Sequence, residues 1–306
     1  MQSAVFLVGH GSRDPEATQE FLGLVEAFRA HDRARIVECG FLEFAQPVIQ
    51  LGVDRCVERG AEKIAVLPGM LMAAGHAKND IPSEIHEARR RHPRVSFHYG
   101  QALHLHPNIV RLSVERIAEA EARAGAVDRQ DTLLLVVGRG SSDPDANSDV
   151  QKLTRVLWEC LGLGWAATAF SGVTTPLVPE ALLRCQRMGF QRIIVFPFFL
   201  FTGVLEKRIR QETADFAVQH PQTEILSADY LGVHPLLFET FLERADEAIY
   251  GSPNMNCDLC KYRVQLPGFE QAVGQPQFGH HHHVRGIGQE GHEHGPLGGY
   301  DAGEST

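Results

Sequence analysis

Ala4-Val5-Phe6-Leu7-Val8-Gly9-His10-Gly11-Ser12-Arg13-Asp14-Pro15 returns as Leu133-Leu134-Leu135-Val136-Val137-Gly138-Arg139-Gly140-Ser141-Ser142-Asp143-Pro144, 129 residues further along the chain. The same offset carries Pro47 onto Pro176 and Ile64-Ala65-Val66-Leu67-Pro68 onto Ile193-Ile194-Val195-Phe196-Pro197. Similarity spread over separate segments at one spacing marks an internal duplication. One deletion in the second copy changes the offset to 128, which pairs Gly75 with Gly203, Glu84 with Glu212 and His106-Pro107 with His234-Pro235.

Each copy alternates short β-rich apolar runs with segments of helical periodicity, the pattern of a parallel β-sheet flanked by helices. Strands are expected near 3–8, 35–41, 63–67 and 94–99, then near 132–137, 166–170, 192–196 and 224–227. Helices are expected near 15–30, 47–60, 80–91 and 107–123, then near 146–161, 177–188, 204–218 and 235–249. Pro15 and Pro47 are placed in first helical turns, where a missing N–H costs nothing. The α/β class follows, as two similar lobes at 1–126 and 131–250. Beyond Tyr250, Gly251-Ser252-Pro253-Asn254 ends the last helix, and 251–306 is a Cys- and His-bearing segment with few apolar residues, expected to be flexible.

A chain of 306 residues has room for about two domains, each with its own core. Hydrophobic residues at 43% and charged residues at 22% exclude a collagen-like repeat, a coiled coil and a chain disordered throughout. With 29 basic against 38 acidic residues the net charge is −9, so neither nucleic acid nor an anionic membrane is an expected partner. Any anionic ligand then needs a local basic pocket. No apolar run approaches a membrane span and the opening residues lack a signal-peptide pattern, so a cytoplasmic location is expected. Four of the six cysteines, Cys39, Cys56, Cys160 and Cys185, are isolated, which fits a reducing compartment rather than a disulfide framework.

Ligands of open α/β sheets bind beyond the carboxyl ends of the strands. In the first copy those positions carry His10, Glu43 and His76. Two imidazoles and a carboxylate suit a borderline divalent cation such as cobalt, iron, nickel or zinc, and can also accept protons near neutral pH. The second copy has Arg139, Gly172 and Val204 at the matching positions while keeping its glycines, prolines and apolar strands. Joint loss of three residues within a preserved framework points to a shared function for His10, Glu43 and His76, as catalytic and metal-binding groups. His106 and His234 behave oppositely, since both copies keep His-Pro ahead of the last helix, and a structural role at the helix start is expected. His31, His86, His92, His98, His104 and His220 carry no such pattern.

Gly9-His10-Gly11-Ser12-Arg13, Glu43 with Gln46-Pro47, Gly75-His76 followed by Asp80-Ile81-Pro82, and Phe199-Leu200-Phe201-Thr202-Gly203-Val204-Leu205 together resemble the class II chelatases of the CbiX and SirB type, over about 1–250. The resemblance implies a bilobal chelatase fold that inserts Co2+ or Fe2+ into sirohydrochlorin in a cleft between the lobes. It also implies that His10, Glu43 and His76 bind the metal and assist deprotonation. Metal insertion removes two pyrrole N–H protons and needs neither ATP nor a redox cofactor, so the absence of a GxxxxGK[ST] motif fits and no nucleotide is expected. Sirohydrochlorin is a polycarboxylate, which makes Arg13, Lys78, Arg139, Lys207 and Arg208 candidates for binding it. The long form favours Co2+ and cobalamin synthesis, while Fe2+ and sirohaem synthesis stay open because the ligands suit both ions. A metal carrier without enzymatic activity is the competing reading from another class. Phosphoryl transfer through His10 is disfavoured because Gly9 stands where a phosphate-clamping arginine would be needed.

Met255-Asn256-Cys257-Asp258-Leu259-Cys260 places two thiols at a spacing that suits one metal or cluster. By resemblance to longer family members this would be a [4Fe-4S] cluster at Cys257 and Cys260, completed by histidine or by a second subunit in a homodimer. A zinc or cobalt site and a redox dithiol are the alternatives. His280, His281, His282 and His283, followed by His292 and His294, could hold transition metals for delivery to the cleft.

Overall fold

The structure, a computed structural model, describes residues 2–253 together with 267, 268 and 271. Cys257, Cys260 and His280 to His283 lie outside the described residues. The first sheet contains β1 (Ser3–Gly9), β2 (Ile36–Phe41), β3 (Lys63–Pro68) and β4 (Ser96–Tyr99) in the order β2-β1-β3-β4. The second contains β5 (Thr132–Gly138), β6 (Trp165–Phe170), β7 (Arg192–Pro197) and β8 (Glu224–Ser227) in the order β6-β5-β7-β8. All pairings are parallel, and the registers repeat between the copies, Leu7 facing Cys39 and Leu67 as Val136 faces Thr168 and Phe196.

Both faces of each sheet are buried, which explains why the strands read as continuous apolar runs. Along β1, Val5 and Leu7 enter a central core, while Ala4, Phe6 and Val8 enter an outer one. The outer cores lie beneath α2 (Ile49–Glu58) and α3 (Ile81–Arg91) in the first lobe, and α6 (Val178–Gln186) and α7 (Val204–Gln219) in the second. The central core is shared by both sheets and takes the apolar faces of α1 (Pro15–His31) and α5 (Pro144–Leu161).

The last helix of each copy crosses over. Helix α4 (Pro107–Ala122) packs on α5, β7 and β8, whereas α8 (Pro235–Tyr250) packs on β3 and β4. Gly100, just past β4, faces α8, where a Cβ would make ordinary van der Waals contact with that of Ala248 at 3.6 Å. The copies at 1–126 and 131–250 thus each pack their last helix against the sheet of the other. An amphipathic stripe states that a helix must bury a face, not which sheet receives it.

The helix starts are chemically explicit. Asp14 and Asp143 cap α1 and α5, each accepting from the amide two residues on, with proline next in line. His106 and His234 cap α4 and α8 through Nδ1, accepting from the amides of Asn108 and Leu236 at 3.2 and 3.3 Å. Pro47 departs from expectation: it precedes α2 instead of opening it, and its peptide bond with Gln46 is cis, as is Thr175–Pro176. Its carbonyl accepts from the amide of Phe41 at 2.8 Å, so the proline closes the return from β2. Among the described residues no helix is long and apolar enough to cross a membrane.

Candidate metal centre

The order β2-β1-β3 places β1 between its two neighbours, so the loops leaving all three strands open at one end of the sheet. His10 follows β1 directly, Glu43 stands two residues beyond β2, and His76 lies past the 69–75 loop after β3. Gly11 makes the first of these loops possible. Its φ is +89° and a Cβ there would lie 1.7 Å from the Glu43 carbonyl oxygen, an approach open only to glycine. The Glu43 amide in turn donates to the His10 carbonyl at 3.0 Å.

Nε2 of His10 and Nε2 of His76 are 3.1 Å apart, and Oε1 of Glu43 is 3.5 Å from the first and 3.6 Å from the second. One ligand atom from each residue thus falls within 4.8 Å of the others, a group that could hold a metal ion. Glu43 is 3% exposed, so its carboxylate is desolvated on the protein side and turned to the imidazoles. Nδ1 of His10 lies 2.8 Å from the Gly11 carbonyl and Nδ1 of His76 lies 2.7 Å from Oδ2 of Asp80. Both acceptors place a proton on Nδ1, the tautomer that presents the Nε2 lone pair to a cation.

His76 opens a five-residue π-helical turn, His76–Asp80, which runs into α3. The wider turn is fastened from several sides. Tyr99 donates its hydroxyl to the Ala77 carbonyl at 2.6 Å, and Lys78 Nζ reaches Oδ2 of Asp143 at 2.8 Å and Oδ2 of Asp145 at 2.7 Å. Burial works against the Lys78 ammonium, but hydrogen bonds to the two carboxylates raise its pKa above the usual lysine value.

His10 and His76 line a cleft of about 500 Å³ between the lobes, with Glu43 behind them. Phe21, Phe41, Phe44, Met70 and Met72 line it on the first lobe, and Phe198, Phe201, Val204 and Leu205 on the second. Two guanidinium groups break this apolar lining. Arg13 lies over the Phe44 ring at 5.1 Å, and Arg139 occupies in the second lobe the place His10 holds in the first. Arg139 is solvent-accessible yet crowded, and that desolvation lowers its pKa, opposed by the field of Glu43.

The other three basic candidates are elsewhere. Lys78 is buried in its ion pairs, with 2% of its side chain exposed. Lys207 is tied to Asp14 and Glu16, at 2.8 Å from each. Arg208 directs a guanidinium nitrogen to the Ser171 carbonyl at 3.5 Å and does not line the cleft. Strand-end position identified all five, but it says nothing of which way a long side chain turns, and acidic partners from the opposite lobe claimed both lysines. Asp80 was not singled out as a functional residue, although its i,i+4 spacing from His76 was the available signal.

The duplicated fold, two four-stranded parallel sheets each flanked by helices, is that of SirB and defines the class: this is a class II chelatase of the CbiX and SirB type. The chain belongs to the CbiX family, whose model matches residues 4–120 and 133–248. It is 42% identical over 267 residues to a sirohydrochlorin cobaltochelatase of Priestia megaterium, covering 87% of this chain and 86% of that one. A sirohydrochlorin ferrochelatase of the same organism is 35% identical, covering 85% of this chain and 95% of the relative. The solved structure of SirB from Bacillus subtilis with Fe3+ is 32% identical and superposes with a TM-score of 0.72 over 82% of this chain and 96% of that one.

Proposed function

We propose that this protein is a metal-inserting lyase, a sirohydrochlorin cobaltochelatase of cobalamin biosynthesis. The observation that carries the reading is the convergence of His10, Glu43 and His76, two of them lining an apolar cleft of about 500 Å³ between the lobes. The 42% identity to a cobaltochelatase, against 35% to a ferrochelatase, favours cobalt as the substrate metal.

In this reading Co2+ exchanges part of its water shell for Nε2 of His10, Nε2 of His76 and the Glu43 carboxylate. The Gly11 carbonyl and Asp80 hold the imidazoles in the binding tautomer. The macrocycle enters between the aromatic walls and its carboxylates meet Arg13 and Arg139, whose charge provides the local basic site that the acidic chain otherwise lacks. As pyrrole nitrogens replace the protein ligands, the released imidazoles and carboxylate accept the two N–H protons. Charge balances, since a divalent ion replaces two protons.

The test is visible absorption of sirohydrochlorin under anaerobic conditions with purified protein and Co2+ or Fe2+, against metal-only controls. Catalysed conversion faster with Co2+ supports the reading, and faster conversion with Fe2+ reassigns the protein to sirohaem synthesis. Metal uptake without acceleration leaves a carrier. In the same reading Cys257 and Cys260 would hold an iron–sulfur cluster in a homodimer of a cytoplasmic enzyme, and the four histidines His280 to His283 would buffer the substrate metal. Iron and sulfide analysis of anaerobically purified protein, with and without residues 251–306, tests that part.

A further inference from the structure

The second lobe has lost all three metal ligands, yet its acidic helix start is buried against the turn that bears His76. Asp143 and Asp145 begin α5, and each side chain is 2% exposed. Between them they enclose the ammonium of Lys78, which stands two residues after His76 on the same π-helical turn. Three charges buried together are costly to desolvate, and a well-packed apolar contact would hold two lobes together at least as well. What the ion triad adds is direction. A single nitrogen caught between two fixed carboxylates sets the position of the turn, and with it the Nε2 atom of His76. The hydroxyl of Tyr99 fixes the same turn at Ala77 from the first lobe.

We infer that Lys78, held by Asp143 and Asp145 of the ligand-free lobe, is a positioning residue that sets His76 against His10 and Glu43, so that the metal centre of one lobe is assembled by the other. The inference rests on His10, Glu43 and His76 being the metal centre. Lys78 touches neither metal nor macrocycle, and its effect is read through the geometry of His76.

The test is Co2+ titration of the full chain without tetrapyrrole, followed through the visible d–d bands of the bound ion, alongside the unfolding midpoint. Wild type is compared with Lys78→Met, Lys78→Arg, His10→Ala and the charge-free triple variant Lys78→Met/Asp143→Asn/Asp145→Asn. The triple variant removes all three charges of the Lys78 triad together and keeps a capping side chain at residue 143, so it remains interpretable if Lys78→Met fails to fold. The triple variant is expected to bind Co2+ about tenfold or more weakly, the loss typical of removing a group that orients a ligand, and with altered d–d bands. Lys78→Arg is expected to recover part of the affinity, and the KM for sirohydrochlorin to stay within about twofold. Unchanged Co2+ affinity and bands in the triple variant, whatever its unfolding midpoint, overturn the inference and leave Lys78 as an inter-lobe strut. A wild type whose Co2+ binding is insensitive to His10→Ala overturns the assignment of the centre itself, and the inference with it.

Discussion

The two lobes keep the same backbone in detail and differ in what they present to the cleft. Gly11 and Gly140 both have positive φ, +89° and +86°, and at each an added Cβ would strike a carbonyl oxygen, that of Glu43 or Gly172, at 1.7 or 1.9 Å. Phe44 and Val173 share the left-handed region at 59° and 65°, and each lobe has its cis proline. On this common scaffold the first lobe sets His10, Glu43 and His76, and the second sets Arg139, Gly172 and Val204. The backbone also diverges at one place: residues 76–80 form a π-helical turn, whereas their counterparts from Val204 begin a regular α-helix. Losing the ligands and losing the widened turn go together, which is what a turn shaped to aim an imidazole would show.

The largest expected effects break the equivalence of matched positions. His76→Ala should lower Co2+ insertion by about 100-fold or more, the range of a lost acid–base group, with circular dichroism unchanged. Val204→Ala, at a residue already 57% exposed in the cleft, should change the rate by less than about twofold. Equal loss in the two variants would mean that the lobes share the work. Next in size is Asp80→Asn, which removes the carboxylate from Nδ1 of His76 and should weaken Co2+ binding by about 10- to 100-fold. Arg208→Ala, at the matching place in the second lobe, should leave the titration unchanged.

Particular residues show how much of this could be read from the chain. The strands, the duplication and the convergence of His10, Glu43 and His76 were legible because each depends on local pattern and on one rule of parallel sheets. The exchange of α4 and α8 was not, since periodicity is silent about which sheet lies beneath a buried stripe. Lys78 and Lys207 misled for a related reason. Their acidic partners lie 65 and 193 residues away, so a charge placed at a strand end looked available to a ligand. Pro47 fitted a helix start by composition, yet the chain uses it in the return that delivers Glu43.

A third comparison asks where the lobes must respond alike. Gly11→Ala and Gly140→Ala each force a side chain into left-handed backbone against a carbonyl, at a cost of about 2 kcal/mol or more. In a chain of 306 residues that corresponds to a fall in Tm of roughly 3–4 °C, read by calorimetry. Only Gly11→Ala should also impair Co2+ binding, because only there does the displaced carbonyl belong to a ligand residue.

The smallest effect belongs to the second inter-lobe lysine. Lys207 grips Asp14 and Glu16 at the start of α1 as Lys78 grips Asp143 and Asp145 at the start of α5, but with 47% of its side chain in water. Water and salt screen such a pair, so Lys207→Met should change stability far less than Lys78→Met, and less still in high salt. The hydrogen bond from Lys207 holds the Asp14 carboxyl below its ordinary value of 3.8, and the same contacts raise the lysine above 10.5. A lowered acid contributes stability above its unfolded pKa and loses it as pH falls through the folded one. A raised lysine contributes below its unfolded pKa and loses it as pH rises through the folded one. Denaturant midpoints of wild type and Lys207→Met should therefore differ between these limits, draw together as pH falls from 3.8 through the lowered Asp14 value, and converge again at strongly alkaline pH. A difference that persisted under acid would show that the methylene stem of Lys207, rather than its charge, joins the lobes on that side.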